Sequence, residues 1–390
     1  MASGSRNPII LNPLAKEPWR FLSSADDRAR AFHQSMPGYS LTPLVSMPQI
    51  AAEVGVGAVH VKYEGDRMGL PSFKILGASW ATFCAVASYL KLPLNSSLTV
   101  NNLRDVLTGW ASSHSQKPTL VAATDGNHGR AVAYMGRILG LPVKVFVPGG
   151  LDNDAVQAIV NEGAAVARVR GSYDLTVNLA FNVAKNMLGG ILVQDTSFPG
   201  YTDVPEWVVE GYDTMLSEID EQLENQSQPA DLIIVPVGVG SLAQAVVTHY
   251  RSLGVGTKVL TVEPDTAACL YTNLRGDVAG QKPVPLETTG PTIMAGLDCG
   301  TVSLCAWNLL NAAVDACLSV SDHEAHSACG ILKTHGVAAG PCGAASLAAL
   351  LRLGDKEKKD LGLGNTSVVV LLCTEGERQY SVPAAGLATY

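Results

Sequence analysis

The feature that most constrains this chain is a repeated alternation of short β-branched runs with helical stretches. The runs are AVHVKYE (58–64), TLVAAT (119–124), KVFVP (144–148), VARVR (166–170), ILVQD (191–195), LIIVPV (232–237), VLTVEP (259–264) and VVVLLCT (368–374). Most lack the apolar–polar alternation of a half-exposed strand and read as strands buried on both faces. Between them, RAVAYMGRILG from Arg130, YDLTVNLAFNVAKNML from Tyr173 and WVVEGYDTMLSEIDEQL from Trp207 carry helical periodicity. Such alternation predicts an α/β fold of mostly parallel sheets flanked by helices.

The chain has 390 residues, which suits two or three domains or one large α/β unit with two lobes. Hydrophobic residues make up 47% and charged residues 16%, so a large core can be buried and disorder is not expected over most of the length. Two stretches read as connections, KLPLNSSLTVNNL from Lys91 and ENQSQPAD from Glu224. The expected division is a large lobe of residues 1–85 and 200–390 with a small lobe of 86–199. The aperiodic stretch from Gly276 to Gly296 is long for a compact enzyme, and such loops are more often functional than idle.

Net charge is −8, from 27 basic and 35 acidic residues, and like charges never run to five or six. That argues against a nucleic-acid groove or an anionic membrane surface and leaves small molecules as the expected partners. The N-terminal MASGSRNPII lacks an apolar signal core and no apolar run reaches 18 residues, so a cytoplasmic, non-membrane protein is expected. The eight cysteines include no CxxC pair, so they are expected to be reduced and no metal site is expected.

Three motifs carry chemistry. Gly238-Val239-Gly240-Ser241-Leu242 follows LIIVPV and opens the helical AQAVVTHY. Glycines there let backbone N–H groups approach an anion, and the helix dipole favours phosphate; a tight turn alone explains one GxG equally well. The same segment satisfies GxGxxA through Ala243, with Glu263 ending the next strand, which also fits a nicotinamide-dependent oxidoreductase. The second motif, Pro71-Ser72-Phe73-Lys74-Ile75-Leu76-Gly77-Ala78, sets Lys74 near a helix N-terminus among apolar neighbours. Dipole and low polarity there disfavour an ammonium and free the amine for Schiff-base chemistry, where an ordinary lysine would be solvated. The third, Thr124-Asp125-Gly126-Asn127-His128-Gly129-Arg130, lies at the C-terminal end of a strand, where α/β sheets bind ligands; Asp125 and Asn127 are also good capping residues.

These motifs together resemble the fold-type-II pyridoxal-phosphate enzymes, to which tryptophan synthase β chain, threonine dehydratase and cysteine synthase belong. Within that group the sequence is most similar to the diaminopropionate ammonia-lyase family, through ATDGNHGR (123–130), VQDTSFPGYTDVPEWVVEGYDTM (193–215), IMAGLDCG (293–300) and CTEG (373–376). The resemblance runs from about Ser40 to Gly376 and displaces the dinucleotide reading, which explains neither SFKILGA nor TDGNHG. It implies that Lys74 holds the aldehyde of pyridoxal 5'-phosphate (PLP) as a Schiff base beside Phe73. Gly238, Val239, Gly240, Ser241 and Leu242 then hold the phosphate, Asn127 the pyridine hydroxyl, and Cys373 faces the pyridine nitrogen. A thiol there does not keep that nitrogen protonated as a carboxylate does, which favours elimination.

The implied reaction is β-elimination of a small amino acid, 2,3-diaminopropionate first, to pyruvate and ammonia through the Lys74 Schiff base and an aminoacrylate. Lys74 removes the Cα proton, and Asp125 or Asp195 orients the departing amine; the family further implies Asp125 as base for the D-isomer and a homodimer. β-Replacement or serine/threonine dehydration is the alternative within the class, a nicotinamide-dependent oxidoreductase is the rival from another class, and a ligand-binding homologue without activity is a third. The chain departs from the family pattern at Gly340-Pro341-Cys342-Gly343-Ala344, where relatives carry a Glu-Ser pair, at Tyr63-Glu64-Gly65-Asp66, and over residues 91–117. These departures bear on the substrate, not on fold or cofactor.

Other features are set aside. His323, Glu324 and His326 form HExH, whose histidines do not share a helical face as HExxH ligands do. His128 is expected to order its turn or pack, as readily as to act in catalysis. Ser241 lacks a GxSxG context. The helix around Glu218, Asp220, Glu221 and Glu224 reads as a solvated acidic face.

Overall fold

The computed structural model describes residues 7–16, 27–95, 98–113, 117–124, 126–226, 228–252, 256–276 and 282–383. Its strands are β1 (Ile10–Leu11), β2 (Leu44–Ser46), β3 (Ala58–Tyr63), β4 (Thr119–Ala123), β5 (Val143–Pro148), β6 (Ala165–Val169), β7 (Gly190–Leu192), β8 (Leu232–Pro236), β9 (Lys258–Pro264), β10 (Ala316–Val320) and β11 (Val368–Cys373). All eight β-branched runs form strands. β1, β2 and β10 join them without a comparable sequence signal.

Two compact units divide the chain: Met1–Ser24, Leu41–Arg67 and Met215–Tyr390 in one, Ala25–Ser40 and Met68–Thr214 in the other. The dividing points lie at 24/25, 40/41, 67/68 and 214/215, against the expected 85/86 and 199/200. One reason is that the helix Lys74–Tyr89 packs on the helix Asn127–Leu139, and so belongs with the residues that follow it.

In the first unit the sheet order is β1-β10-β9-β8-β11-β3-β2, with β10 through β3 parallel and the two edge strands antiparallel. Every residue of β8 and β11 is buried, as continuous Val, Ile and Leu runs require. The helix Pro341–Leu351 packs across β8 to β11 and has its first ten residues buried. Its sequence, PCGAASLAALL, is small and apolar all round, which suits a helix sunk in a core, and Pro341 starts it where no N–H is needed.

In the second unit a parallel sheet runs β6-β5-β4-β7. β6 is no double-buried strand: it is an edge, with none of its residues fully buried. The helix Lys74–Tyr89 meets the chain at Gly211 backbone to backbone. A Cβ on Gly77 would stand 2.5 Å from the Tyr212 ring and one on Gly211 2.5 Å from the Leu76 carbonyl oxygen. Glycine at both positions lets the backbones approach closely, and this contact seats the helix that begins with Lys74.

Candidate active site

Lys74 is the first residue of its helix, and the preceding Phe73 supplies no side-chain cap. The Lys74 side chain is 17% exposed, and its Nζ lies 2.5 Å from Asp195 Oδ2 and 5.5 Å from the centre of the Phe73 ring. The Phe73 ring in turn packs on Tyr212, centroid to centroid 4.7 Å. The N-terminal end of a helix disfavours an ammonium; the Asp195 carboxylate opposes that effect directly.

Asp195 follows β7 and is buried. Burial raises its carboxyl, but the Lys74 charge, the His128 ring and the Lys74 hydrogen bond outweigh it and hold the group at about 2. It is therefore ionised at neutral pH. Its other oxygen, Oδ1, accepts from Gln194 Nε2 at 3.4 Å. Gln194, wholly buried, also donates to the Tyr173 hydroxyl and accepts from the Ala123 amide, so it ties Asp195 to the end of β4. The Gln194 amide donates to the Tyr201 hydroxyl, which donates to the Leu192 carbonyl; burial pushes that hydroxyl up, so it stays protonated.

The turn after β4 is built by Thr124, whose Oγ1 accepts from the Gly126 and Gly129 amides at 2.9 and 3.0 Å. Gly126 has φ +143, a backbone value that favours glycine, and a Cβ on Gly129 would lie 2.3 Å from Thr124 Cγ2. This turn brings Asn127 and His128 to the first positions of the helix Asn127–Leu139. His128 is buried, with Nε2 2.9 Å from the Val193 carbonyl and Nδ1 3.9 Å from Asp195 Oδ2. Asp125 lies outside the described residues. Gln194, Thr124 and Tyr201 also build this part of the chain, and each lies inside TDGNHGR or the stretch from Val193 to Met215 without a local signal of that role.

In the first unit, Gly238-Val239-Gly240 forms the turn after β8, and Ser241 and Leu242 open the helix Ser241–Ser252. Gly240 has φ +96. A Cβ on Gly238 would lie 3.0 Å from the Gly296 carbonyl oxygen and 3.2 Å from Cys299 Sγ, so the segment around the short helix Ala295–Leu297 closes one side of the turn. First-turn N–H groups of a helix with two glycines before them are of the kind that can take an anion. Glu263 is buried, and its two oxygens accept from the Leu270 and Tyr271 amides at 2.7 and 2.6 Å. It serves the N-terminus of the helix Cys269–Arg275, so the carboxylate that a dinucleotide fingerprint needs for a ribose is already engaged.

Cys373 ends β11, is completely buried, and its thiol donates to the Glu375 carbonyl. Burial pushes that thiol well above its ordinary value, so it remains neutral. At Pro341-Cys342 the helix N-terminus meets a carboxylate from elsewhere in the chain: Glu375 Oε1 accepts from the Cys342 amide at 3.1 Å. The stretch before Gly296 is anchored at both ends. Asn273 holds Val284 through two hydrogen bonds, and Asp322 accepts from Thr292 Oγ1 and the Ile293 amide. Arg378 donates to the Ile293 carbonyl.

One expectation changes. Glu218 is no part of a solvated face: it is fully buried against Lys62 and Arg67. Glu324, weighed as part of HExH, completes a capping box with Ser321 on the helix Asp322–Thr334. Among the described residues no group of three or more His, Cys, Asp or Glu side chains is placed to hold a metal ion, and no helix is long and apolar enough to cross a membrane.

The second unit carries an amine beside an ionised carboxylate, and the first carries a glycine turn before a helix and a buried neutral thiol; each is a kind of group that a PLP aldehyde, phosphate or pyridine nitrogen can use. Residues 36–375 match the model of the family described as pyridoxal-phosphate dependent enzyme. The diaminopropionate ammonia-lyase of Escherichia coli (strain K12) is 31% identical over 370 residues, covering 92% of this chain and 89% of that protein. The diaminopropionate ammonia-lyase of Salmonella typhimurium (strain LT2) is 34% identical over 298 residues, 75% of this chain and 71% of that protein. A crystal structure of the Escherichia coli lyase in complex with an aminoacrylate-PLP azomethine reaction intermediate superposes with a TM-score of 0.84 at 29% identity, over 95% of this chain and 94% of that one. The chain belongs to the pyridoxal-phosphate dependent enzymes, in the diaminopropionate ammonia-lyase family, and its cofactor is PLP.

Proposed function

We propose that this enzyme eliminates the β-amino group of 2,3-diaminopropionate, in both isomers, to give pyruvate and ammonia. The observation that carries the reading is the Lys74 amine, nearly enclosed, with an ionised carboxylate 2.5 Å from its nitrogen. Lys74 would hold the cofactor aldehyde, Gly238 to Leu242 its phosphate and Asn127 its hydroxyl, and Cys373 would be the partner of its pyridine nitrogen. When bound, PLP supplies the electron sink that makes a Cα proton removable.

The remaining work falls to the chain. Lys74, once uncharged, takes the Cα proton of the L-isomer, and Asp125 takes that of the D-isomer. Asp195, held at about 2, is an acceptor and not an acid; it orients a cationic β-ammonium so that the group departs as neutral ammonia. The neutral Cys373 thiol leaves the pyridine nitrogen without a carboxylate partner, which suits elimination. A homodimeric, cytoplasmic enzyme fits the resemblance.

Two measurements test the reading. Borohydride reduction of the holoenzyme should fix the cofactor to Lys74, located by peptide mass spectrometry, and Lys74→Ala should lose the visible absorbance band. Ammonia and pyruvate release is then assayed on D- and L-2,3-diaminopropionate, serine and threonine. Turnover of serine or threonine without turnover of diaminopropionate would replace this substrate with the dehydratase alternative.

A further inference from the structure

We infer that His128 stores the proton that Lys74 must lose, receiving it on Nδ1 through Asp195; this rests on Lys74 being the amine that bonds the cofactor. An ammonium has no lone pair, so its proton must leave before the nitrogen can attack an aldehyde or take a proton from Cα. Asp195 Oδ2 receives that proton directly, and the same oxygen faces His128 Nδ1. A second acceptor is therefore within reach.

His128 is that acceptor by geometry. Its Nε2 lies 2.9 Å from a carbonyl oxygen, that of Val193, and a carbonyl can only accept. The neutral ring therefore carries its proton on Nε2 and leaves a lone pair on Nδ1. Nδ1 is buried without a hydrogen-bond partner, 3.9 Å from Asp195 Oδ2, the same oxygen that accepts from Lys74. Two acceptors facing one another hold apart; one proton on Nδ1 turns the contact into a charge-assisted hydrogen bond. The transfer balances. An N–H bond of Lys74 breaks, an N–H bond forms on His128, and the trio passes from +1, −1, 0 to 0, −1, +1.

The groups facing the ring enforce the order of events. Burial lowers the proton affinity of His128 most, Asp195 raises it, and the Lys74 charge lowers it. Once Lys74 gives up its proton, the cation that opposed protonation of His128 is gone. The Tyr201 hydroxyl is committed to Leu192 and Gln194 and does not compete. His128 thus acts through Asp195, as a positioning residue for the Lys74 proton.

The test reads Lys74 in the full chain freed of cofactor, by pulse acetylation with acetic anhydride and peptide mass spectrometry. Lys356, whose side chain is 81% exposed, is the internal reference. An ordinary lysine gains about tenfold in labelling rate per pH unit while its amine deprotonates to solvent. If the proton stays inside the site, the uncharged fraction of Lys74 is independent of pH. Wild-type Lys74 should then stay flat, within about threefold between pH 6 and 8, while Lys356 rises about a hundredfold. His128→Gln, which keeps a donor for Val193, and His128→Asn should both restore the tenfold slope to Lys74, with folding checked by circular dichroism.

A wild-type Lys74 slope equal to that of Lys356 overturns the inference without any variant, as does a flat profile in either folded variant. Borohydride trapping separates the two levels: no adduct on Lys74 sinks the functional reading, whereas an adduct with a tenfold wild-type slope sinks only the role of His128.

Discussion

Glu218→Gln should cost this protein about 3 kcal/mol of stability. Glu218 accepts from Lys62 Nζ, Arg67 Nη1 and Arg67 Nη2, each at 2.7 Å, while Arg67 Nε and Nη2 also donate to Glu64 at 2.8 and 2.7 Å. All four side chains are fully buried, so two cations and two anions balance without water. Burial alone raises the Glu218 carboxyl, but the hydrogen bonds and charges of Arg67 and Lys62 bring it from 4.5 to about 2. At about 1.4 kcal/mol per tenfold in proton affinity, that fall is worth about 3 kcal/mol. Breaking a buried pair by removing one partner costs a similar ~3–5 kcal/mol, because the remaining charge is stranded.

For 390 residues unfolding together, at about 2.1 cal/mol/K per residue, the loss lowers Tm by about 4 °C. Urea and thermal unfolding at neutral pH measure it, with Glu224→Gln, an exposed residue of the same helix, as control within about 0.5 kcal/mol. The pH dependence has a fixed sign. A carboxyl lowered in the fold contributes fully above its unfolded value and loses that contribution as pH falls through its folded one. The gap between wild type and variant should therefore close between pH 4.5 and about 2. If Glu218→Gln were as mild as the control, the cluster would not be holding the fold and the argument would fail.

Gly240→Ala should destabilise by about 1–2 kcal/mol, since φ is +96 and the new Cβ would lie 3.0 Å from Leu310 Cδ1, and should release PLP faster on dialysis; unchanged retention would refute the phosphate role of this turn. Glu263→Gln should flatten the pH profile of stability. Burial pushes that carboxyl up to about 8, so its contribution is full below about 4.5 and is lost as pH rises through about 8, and a variant with an undiminished decline there would contradict it. Asp195→Asn should lower kcat about a hundredfold or more while leaving the fold intact by circular dichroism. Asp125→Asn should reduce turnover of the D-isomer more than that of the L-isomer, and equal losses would remove its role as a stereospecific base.

The strands that the sequence makes plain are those that need no partner to explain them. VVVLLC and LIIVP are apolar throughout because both faces are covered, and they occupy the middle of the seven-stranded sheet. β10, ACLSV, is equally buried but has a single β-branched residue, Val320, so its pairing with β9 is what reveals it. β6 misled in the other direction. Its VARVR is β-branched, yet the strand lies at an edge, and whether a run is central or marginal is set by neighbours far along the chain. The two-residue β1 and three-residue β2 are too short for any period to show.

The same contrast governs the polar residues. That Lys74 and Asn127 open helices, and that Gly238–Leu242 forms a glycine turn into a helix, was legible because helix starts and glycine turns are local. Glu218 was not legible. On its helix it stands with Asp220, Glu221 and Glu224, a pattern that reads as solvated, and its cations are 151 and 156 residues away. Asp195 and His128 fall between these cases: both lie in short motifs, but the geometry that matters, one carboxylate oxygen shared between an amine and a bare imidazole nitrogen, joins three segments of chain. A motif can announce that a histidine is present. Only the carbonyl opposite Nε2 fixes which nitrogen is left to take a proton, and hence what the residue can do.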